Sequence, residues 1–195
     1  MNKMVGFFDR LGAYFIDLLI VFLFLSLINA SIPNNDEFTK RITELETKMV
    51  SGETVTEEIM NEYKSLVYDY QKSSILSSSI SIAVYIAYFV IFQYMNNGQT
   101  FGKKLLKTKI VSSDGGKVSI FQMFLRYVFI INIFSGIFNI LLLFVLSKSN
   151  YLITNLIMSG FESIFLIVSG LLILYRKDKM GLHDIMAKTK VIKEV

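Results

Sequence analysis

Residues 11–32 read LGAYFIDLLIVFLFLSLINASI, 22 residues with a single charge, Asp17. A helix that crosses the ~30 Å hydrocarbon layer needs about 20 mostly apolar residues, and this stretch supplies them. Working outward, three further runs share its character. Residues 73–95 are 23 residues without a charge, residues 127–146 are 20 without a charge, and residues 151–175 are 25 with one, Glu162. Four such runs in 195 residues leave too little polar surface to coat a water-soluble fold. The sequence predicts an all-α membrane protein, a four-transmembrane-helix bundle in one domain over 1–195. Residues 33–72 are inserted in it as an outer hairpin. A cleaved signal peptide ending at Ile28-Asn29-Ala30 is the poorer reading of the first run, which is longer than a usual h-region and is interrupted by Asp17.

The composition agrees. Hydrophobic residues make up 53% and charged residues 18%, against typical values of about 45–50% and about 25%. Without a cysteine, disulfides, thiolate metal sites and a cysteine nucleophile are excluded. One histidine, His183, leaves little for a metal cage or a Ser-His-Asp triad. No enzymatic activity, metal or cofactor is expected. The charges are sorted by segment. Loop 33–72 carries five basic and nine acidic residues, loop 96–126 six basic and one acidic, and the tail after Tyr175 six basic and three acidic. Together with Lys3 and Arg10, 14 of the 20 Lys and Arg fall on one side. The positive-inside rule makes that side cytoplasmic, with both termini inside. The net charge of +4 then reads as contact with anionic headgroups rather than nucleic acid.

Loop 33–72 reads as two helices. Asn34 to Glu37 and Thr54 to Glu57 have capping-box spacing. Phe38, Ile42, Leu45 and Met49 form one apolar stripe. Ile59, Tyr63, Leu66 and Tyr70 form another that runs on toward Ser73. Ser51-Gly52 separates the two helices. Residues 109–120 read as a β-hairpin turning at Asp114-Gly115-Gly116, with Ser119 to Gln122 as the capping box of the third span. The string Lys188-Thr189-Lys190-Val191-Ile192 echoes Lys107-Thr108-Lys109-Ile110-Val111, so a small cytoplasmic sheet joining the two is expected.

Three elements, in order, carry a resemblance. They are Arg10-Leu11-Gly12-Ala13-Tyr14-Phe15-Ile16-Asp17, then Gly98-Gln99-Thr100-Phe101-Gly102-Lys103-Lys104 with Asp114-Gly115 and Arg126 after it, then Gly181-Leu182-His183-Asp184-Ile185-Met186-Ala187. Taken together they resemble the RDD family of bacterial integral membrane proteins, named for one arginine and two aspartates. The resemblance implies that Arg10, Asp17 and Asp184 are those three residues. It also implies a role in cation/proton antiport or in regulating a membrane partner. The acidic outer hairpin and Glu162 depart from the commoner family outline.

Arg10 and Asp17 lie seven residues apart on one helix face, ~10.5 Å along the axis. Side chains lean toward the helix N-terminus, so Arg10 reaches the cytoplasmic interface, where Asp184 is its expected partner. Asp17 lies deeper, where a charged carboxylate costs at least ~2.5–3.5 kcal/mol on insertion scales. Arg126 is its expected partner. Arg10, Asp17, Asp184 and Arg126 thus read either as a polar clasp that fixes helix packing or as part of an ion path.

Glu162 falls near the midplane. Asn155, Ser159 and Glu162 share a face of the fourth span, Asn132, Ser135 and Asn139 share a face of the third, and serines crowd the start of the second. Asp17, Glu162, Asn132, Asn139, Asn155 and Ser159 are therefore expected to handle a monovalent cation or a proton. Close helix packing through small polar residues is the alternative. Lys103, Lys104, Lys107 and Lys109 are expected on lipid headgroups. Gly98 to Lys103 is one residue short of a phosphate loop between its glycines. Two functions remain. One is small cation/proton transport by buried carboxylates, in a bundle small enough to require a homo-oligomer. The other is a non-catalytic adaptor, regulator or protective protein that binds a membrane or extracellular partner through Met49, Ile59, Tyr63 and Tyr70 of the hairpin.

Overall fold

A computed structural model describes residues 3–32, 36–51 and 55–194. The described chain is mostly helical. Helix α1 spans Phe7–Asn29, α2 Asp36–Val50 and α3 Glu57–Ser73. Helix α4 spans Ile75–Met95, with a π-helical stretch over Ile86–Phe92. Then follow α5 (Phe101–Leu105), β1 (Thr108–Ser112), α6 (Ile120–Tyr127), α7 (Ile133–Val145), α8 (Lys148–Tyr175), α9 (Leu182–Met186) and β2 (Thr189–Lys193).

Three helices, α1, α4 and α8, are long and apolar enough to cross a membrane. Their outward faces are lined with exposed Phe15, Phe22, Leu23, Leu76, Ile164 and Ile167, the surface a bilayer would cover. The third apolar run departs from expectation. It breaks between Tyr127 and Ile133, where Asn132 adopts a left-handed conformation at φ 55°. The remaining helix α7 has 13 residues, or ~20 Å at 1.5 Å per residue, short of the hydrocarbon thickness.

The expected sheet forms. Strands β1 and β2 pair antiparallel from Thr108↔Lys193 to Ser112↔Thr189, and the backbone of Met4 bridges to Ile192 beside them. The expected hairpin within 109–120 does not form. Asp114-Gly115-Gly116 does turn, with Ser112 N–H donating to Gly116 O at 3.2 Å and Gly115 at φ 91°. Only Lys117 and Val118 then remain before Ser119, which is committed to capping α6 in the expected box with Gln122, so there is no room for a returning strand.

The main core joins α1, α4, β1, α6, α7 and β2 through Val21, Phe89, Ile110, Met123, Ile133 and Val191. Helices α2 and α3 pack on each other over buried Leu45, with Arg41 pairing Glu62 at 2.7 Å and Tyr63 Oη donating to Glu46 at 3.0 Å. Helix α3 starts two residues later than expected. Thr56 caps it by accepting from Ile59 N–H, while Asn34, Asn35, Gly52 and Thr54 lie outside the described residues. The expected continuity of α3 into α4 is interrupted at Ser74 alone.

Candidate functional site

Asp184 sits at the N-terminal turn of α9, fully buried, where its carboxylate accepts the Gly181 N–H at 3.0 Å. Arg10 Nη1 donates to Asp184 Oδ2 at 2.6 Å, and Arg126 Nη1 donates to Asp184 Oδ1. Arg126 also donates to Thr189 Oγ1 of β2 at 2.9 Å. Arg10 uses its remaining nitrogens on the carbonyls of Val5 and Lys179. One carboxylate thus ties α1, α6, α9 and β2 together. Burial alone would raise the Asp184 carboxyl, but Arg126 and Arg10 beside it hold it well below the usual carboxylate range.

His183 faces the same carboxylate at 3.4 Å through Nε2, and its Nδ1 meets Ser169 Oγ of α8 at 2.6 Å. Burial, reinforced by Arg126, pushes its pKa down to about 3. The ring is therefore neutral at cellular pH. These neighbours assign the Nε2–H tautomer, with Nδ1 accepting the serine proton.

Arg126 is spent on Asp184, so it does not partner Asp17. Asp17 instead accepts from Tyr88 Oη at 2.7 Å, Thr100 Oγ1 at 2.5 Å and Gly102 N–H at 2.7 Å, with Lys103 Nζ 3.7 Å away. Three donors and a nearby cation account for a carboxylate that is 0% exposed. The Gly98 to Lys104 motif is the cradle that makes this approach. A Cβ on Gly102 would lie 2.1 Å from Ala13 O, and Gly98, at φ 87°, would place one 2.2 Å from Ile110 O. Lys103 is correspondingly 7% exposed and bonds Tyr127 Oη at 3.0 Å, so it does not stand on the open surface with the other lysines of this segment. Lys104 and Lys107 are exposed and Lys109 is half-buried.

Glu162, 5% exposed, accepts from Ser135 N–H at 3.3 Å. Ser135 is the third residue of α7, whose N-cap Asn132 makes no side-chain cap. The carboxylate of α8 therefore supplies the acceptor that the broken helix lacks at its positive end. Asn155 Nδ2 bonds Tyr151 Oη at 3.4 Å, Ser159 is exposed, and Asn139 Oδ1 is buried without a partner among the described residues.

Two of the cavities beside these networks share a wall. The larger, about 730 Å³, runs along α1 from Asn29 to Tyr14 and is lined by Ser77, Ser78, Ser81, Tyr85, Asn132 and Asp36 among others. The smaller, about 170 Å³, lies at the Arg10–Asp184 end between α1 and α8. Tyr14 and Ile130 line both, and Tyr14 Oη donates to Ile130 O at 3.4 Å between them. Asn132 lines the larger cavity, whereas Asp17, Glu162, Asn139, Asn155 and Ser159 line neither.

Tyr88, Thr100, Gly102, Tyr127, Ser169 and Thr189 join the networks without having been singled out as site residues. Thr100 and Gly102 were signalled by their motif. Tyr88 sits in the π-helical stretch, whose altered rotation no 3.6-residue pattern reveals.

A family model described as the RDD family matches residues 4–188. The chain is 28% identical to "Uncharacterized protein YxaI" of Bacillus subtilis (strain 168), over 98% of this chain and 99% of that protein. No solved structure matches. With Arg10, Asp17 and Asp184 all drawn into buried networks at one end of an apolar helical bundle, the chain is a membrane protein that belongs to the RDD family.

Proposed function

We propose that this protein moves a small monovalent cation across the bacterial cytoplasmic membrane, with the larger cavity as its binding chamber. The observation that carries the proposal is the chemistry of that cavity. Its described lining offers serine and tyrosine hydroxyls, the Asn132 side chain and the Asp36 carboxylate, and no lysine or arginine. Such oxygens replace the hydration shell of a hard cation. The break over 128–132 adds support, because non-helical backbone at membrane depth is tolerated where it lines a watery cavity. Tyr14 and Ile130 form the partition between this cavity and the smaller one. Asp17 and Glu162 hold the helices around the chamber and do not carry the ion.

In this reading the clasp end is cytoplasmic and the hairpin external. External protease should cleave the hairpin in intact cells and spare a C-terminal tag. Transport is tested by Na⁺, K⁺ and proton flux in proteoliposomes. The wild type should move at least one cation, and Ser77→Val with Ser81→Val should slow it by roughly tenfold, the effect of ~1.4 kcal/mol on a barrier. A wild type that moves no cation at any pH overturns the proposal and leaves the hairpin's contact role as the alternative.

A further inference from the structure

The smaller cavity has two apolar walls, Phe7 and Leu11 from α1 and Leu166 and Ile173 from α8. Phe7 opens α1, and Ile173 lies two residues before the end of α8. The slot therefore stands where two membrane-length helices end, at the depth where hydrocarbon gives way to headgroups.

Its polar lining is one-sided. Arg10, Lys103 and Arg126 line it, and no acidic residue does among the described lining. Their counter-ions Asp17 and Asp184 are 0% exposed behind them. Three cations meet two carboxylates, so one positive charge is left unbalanced beside an apolar slot. Arg126 supplies a second, independent sign. It is 4% exposed, its Nη1 is taken by Asp184 and Thr189, and its Nε–H has no acceptor among the described residues. Buried donors are almost always satisfied, and a small turn of the Arg126 guanidinium toward the slot would bring this one to an anionic oxygen there.

We propose that the slot binds a phospholipid of net negative charge, its phosphate held by Arg126 and Lys103 and the start of one acyl chain between α1 and α8. Guanidinium donors match phosphate oxygens in shape and charge. The unbalanced positive charge favours an anionic over a zwitterionic lipid. The apolar walls distinguish a lipid from free phosphate, which shares the head chemistry but leaves the walls bare. Tyr14 and Ile130 separate this slot from the cation chamber, so each proposal stands or falls alone.

The test uses the full chain, delipidated in neutral detergent, and follows its melting temperature. Short-chain phosphatidylglycerol should raise it saturably, while phosphatidylcholine of the same chain length and inorganic phosphate should not. Arg126→Lys keeps the charge, loses the forked donors and should weaken the response. Because Arg126 also holds the clasp, the deciding variant is Leu166→Trp, which fills a wall without touching a charged group. It should weaken the phosphatidylglycerol midpoint roughly tenfold and leave the unliganded melting temperature in place. Equal shifts from both lipids, an equal shift from inorganic phosphate, or a wild-type midpoint in Leu166→Trp would each overturn the assignment.

Discussion

At the clasp end, Arg10, Arg126 and Asp184 come from three distant segments, and their side chains are at most 10% exposed. At the hairpin end, Lys148 pairs with Asp69 at 2.5 Å, with the two side chains 48% and 37% exposed. Around that pair, Tyr68 stacks edge-on against Tyr151 and its hydroxyl donates to Leu143 O. One end is fastened by charge sealed from water, the other by aromatic packing with a solvent-screened pair at its rim. The contrast teaches where substitution should matter, since a buried pair is costly to break while an exposed one is nearly free to lose.

The largest effect should come from Asp184→Ala, which leaves two buried guanidiniums uncompensated and should cost ~3–5 kcal/mol. Arg10→Ala should also destabilise, and the double variant should fall short of the sum, as read by thermal melting in detergent. Additive losses would break the comparison at its root.

The next effect depends on pH. His183 is neutral in the folded protein down to about pH 3, whereas an unfolded histidine takes a proton near pH 6.5. Between those values the unfolded state binds the extra proton, so stability falls as pH falls. The loss should reach ~2 kcal/mol by pH 5. His183→Gln should flatten that stretch of the melting profile, and an unchanged slope would assign the acid sensitivity elsewhere.

Midway along the bundle, Glu162→Leu should cost ~1 kcal/mol, the usual loss for a helix cap. Glu162→Gln keeps an acceptor and should retain most of that stability. A large loss of ion flux in Glu162→Gln without loss of stability would return the residue to the role of carrier. The smallest effect should be Lys148→Ala, below ~1 kcal/mol and weaker still in high salt. A loss approaching that of Asp184→Ala would erase the distinction between the ends.

The same contrast governs what could be read from sequence. Long apolar runs declare α1, α4 and α8 through composition alone, and the capping box at Ser119 and the echoed strand strings are local signals that the fold obeys. The Arg10–Asp184 contact follows from the side of the bundle on which both lie and from the lean of helical side chains. The choice between Asp17 and Asp184 for Arg126 does not follow, because it depends on how α5 tucks under α1 at Gly102, a close approach invisible to periodicity. The break at Asn132 was hidden for a related reason. Its stabilising acceptor, Glu162, comes from another helix, and the flanking residues are as apolar as any continuous span.

The clasp also imposes an order of events on synthesis. Asp184 follows Arg126 by 58 residues and Arg10 by 174. At ~5–20 residues per second, Arg10 waits roughly 9–35 s for its counter-ion. Until the segment carrying Asp184 leaves the ribosome, α1 must sit in the membrane with its arginine turned to lipid phosphate or water. A nascent chain stalled after Arg126 and before Asp184 therefore displays two unneutralised arginines at the membrane surface, a mark of incompleteness that a quality-control protease could read.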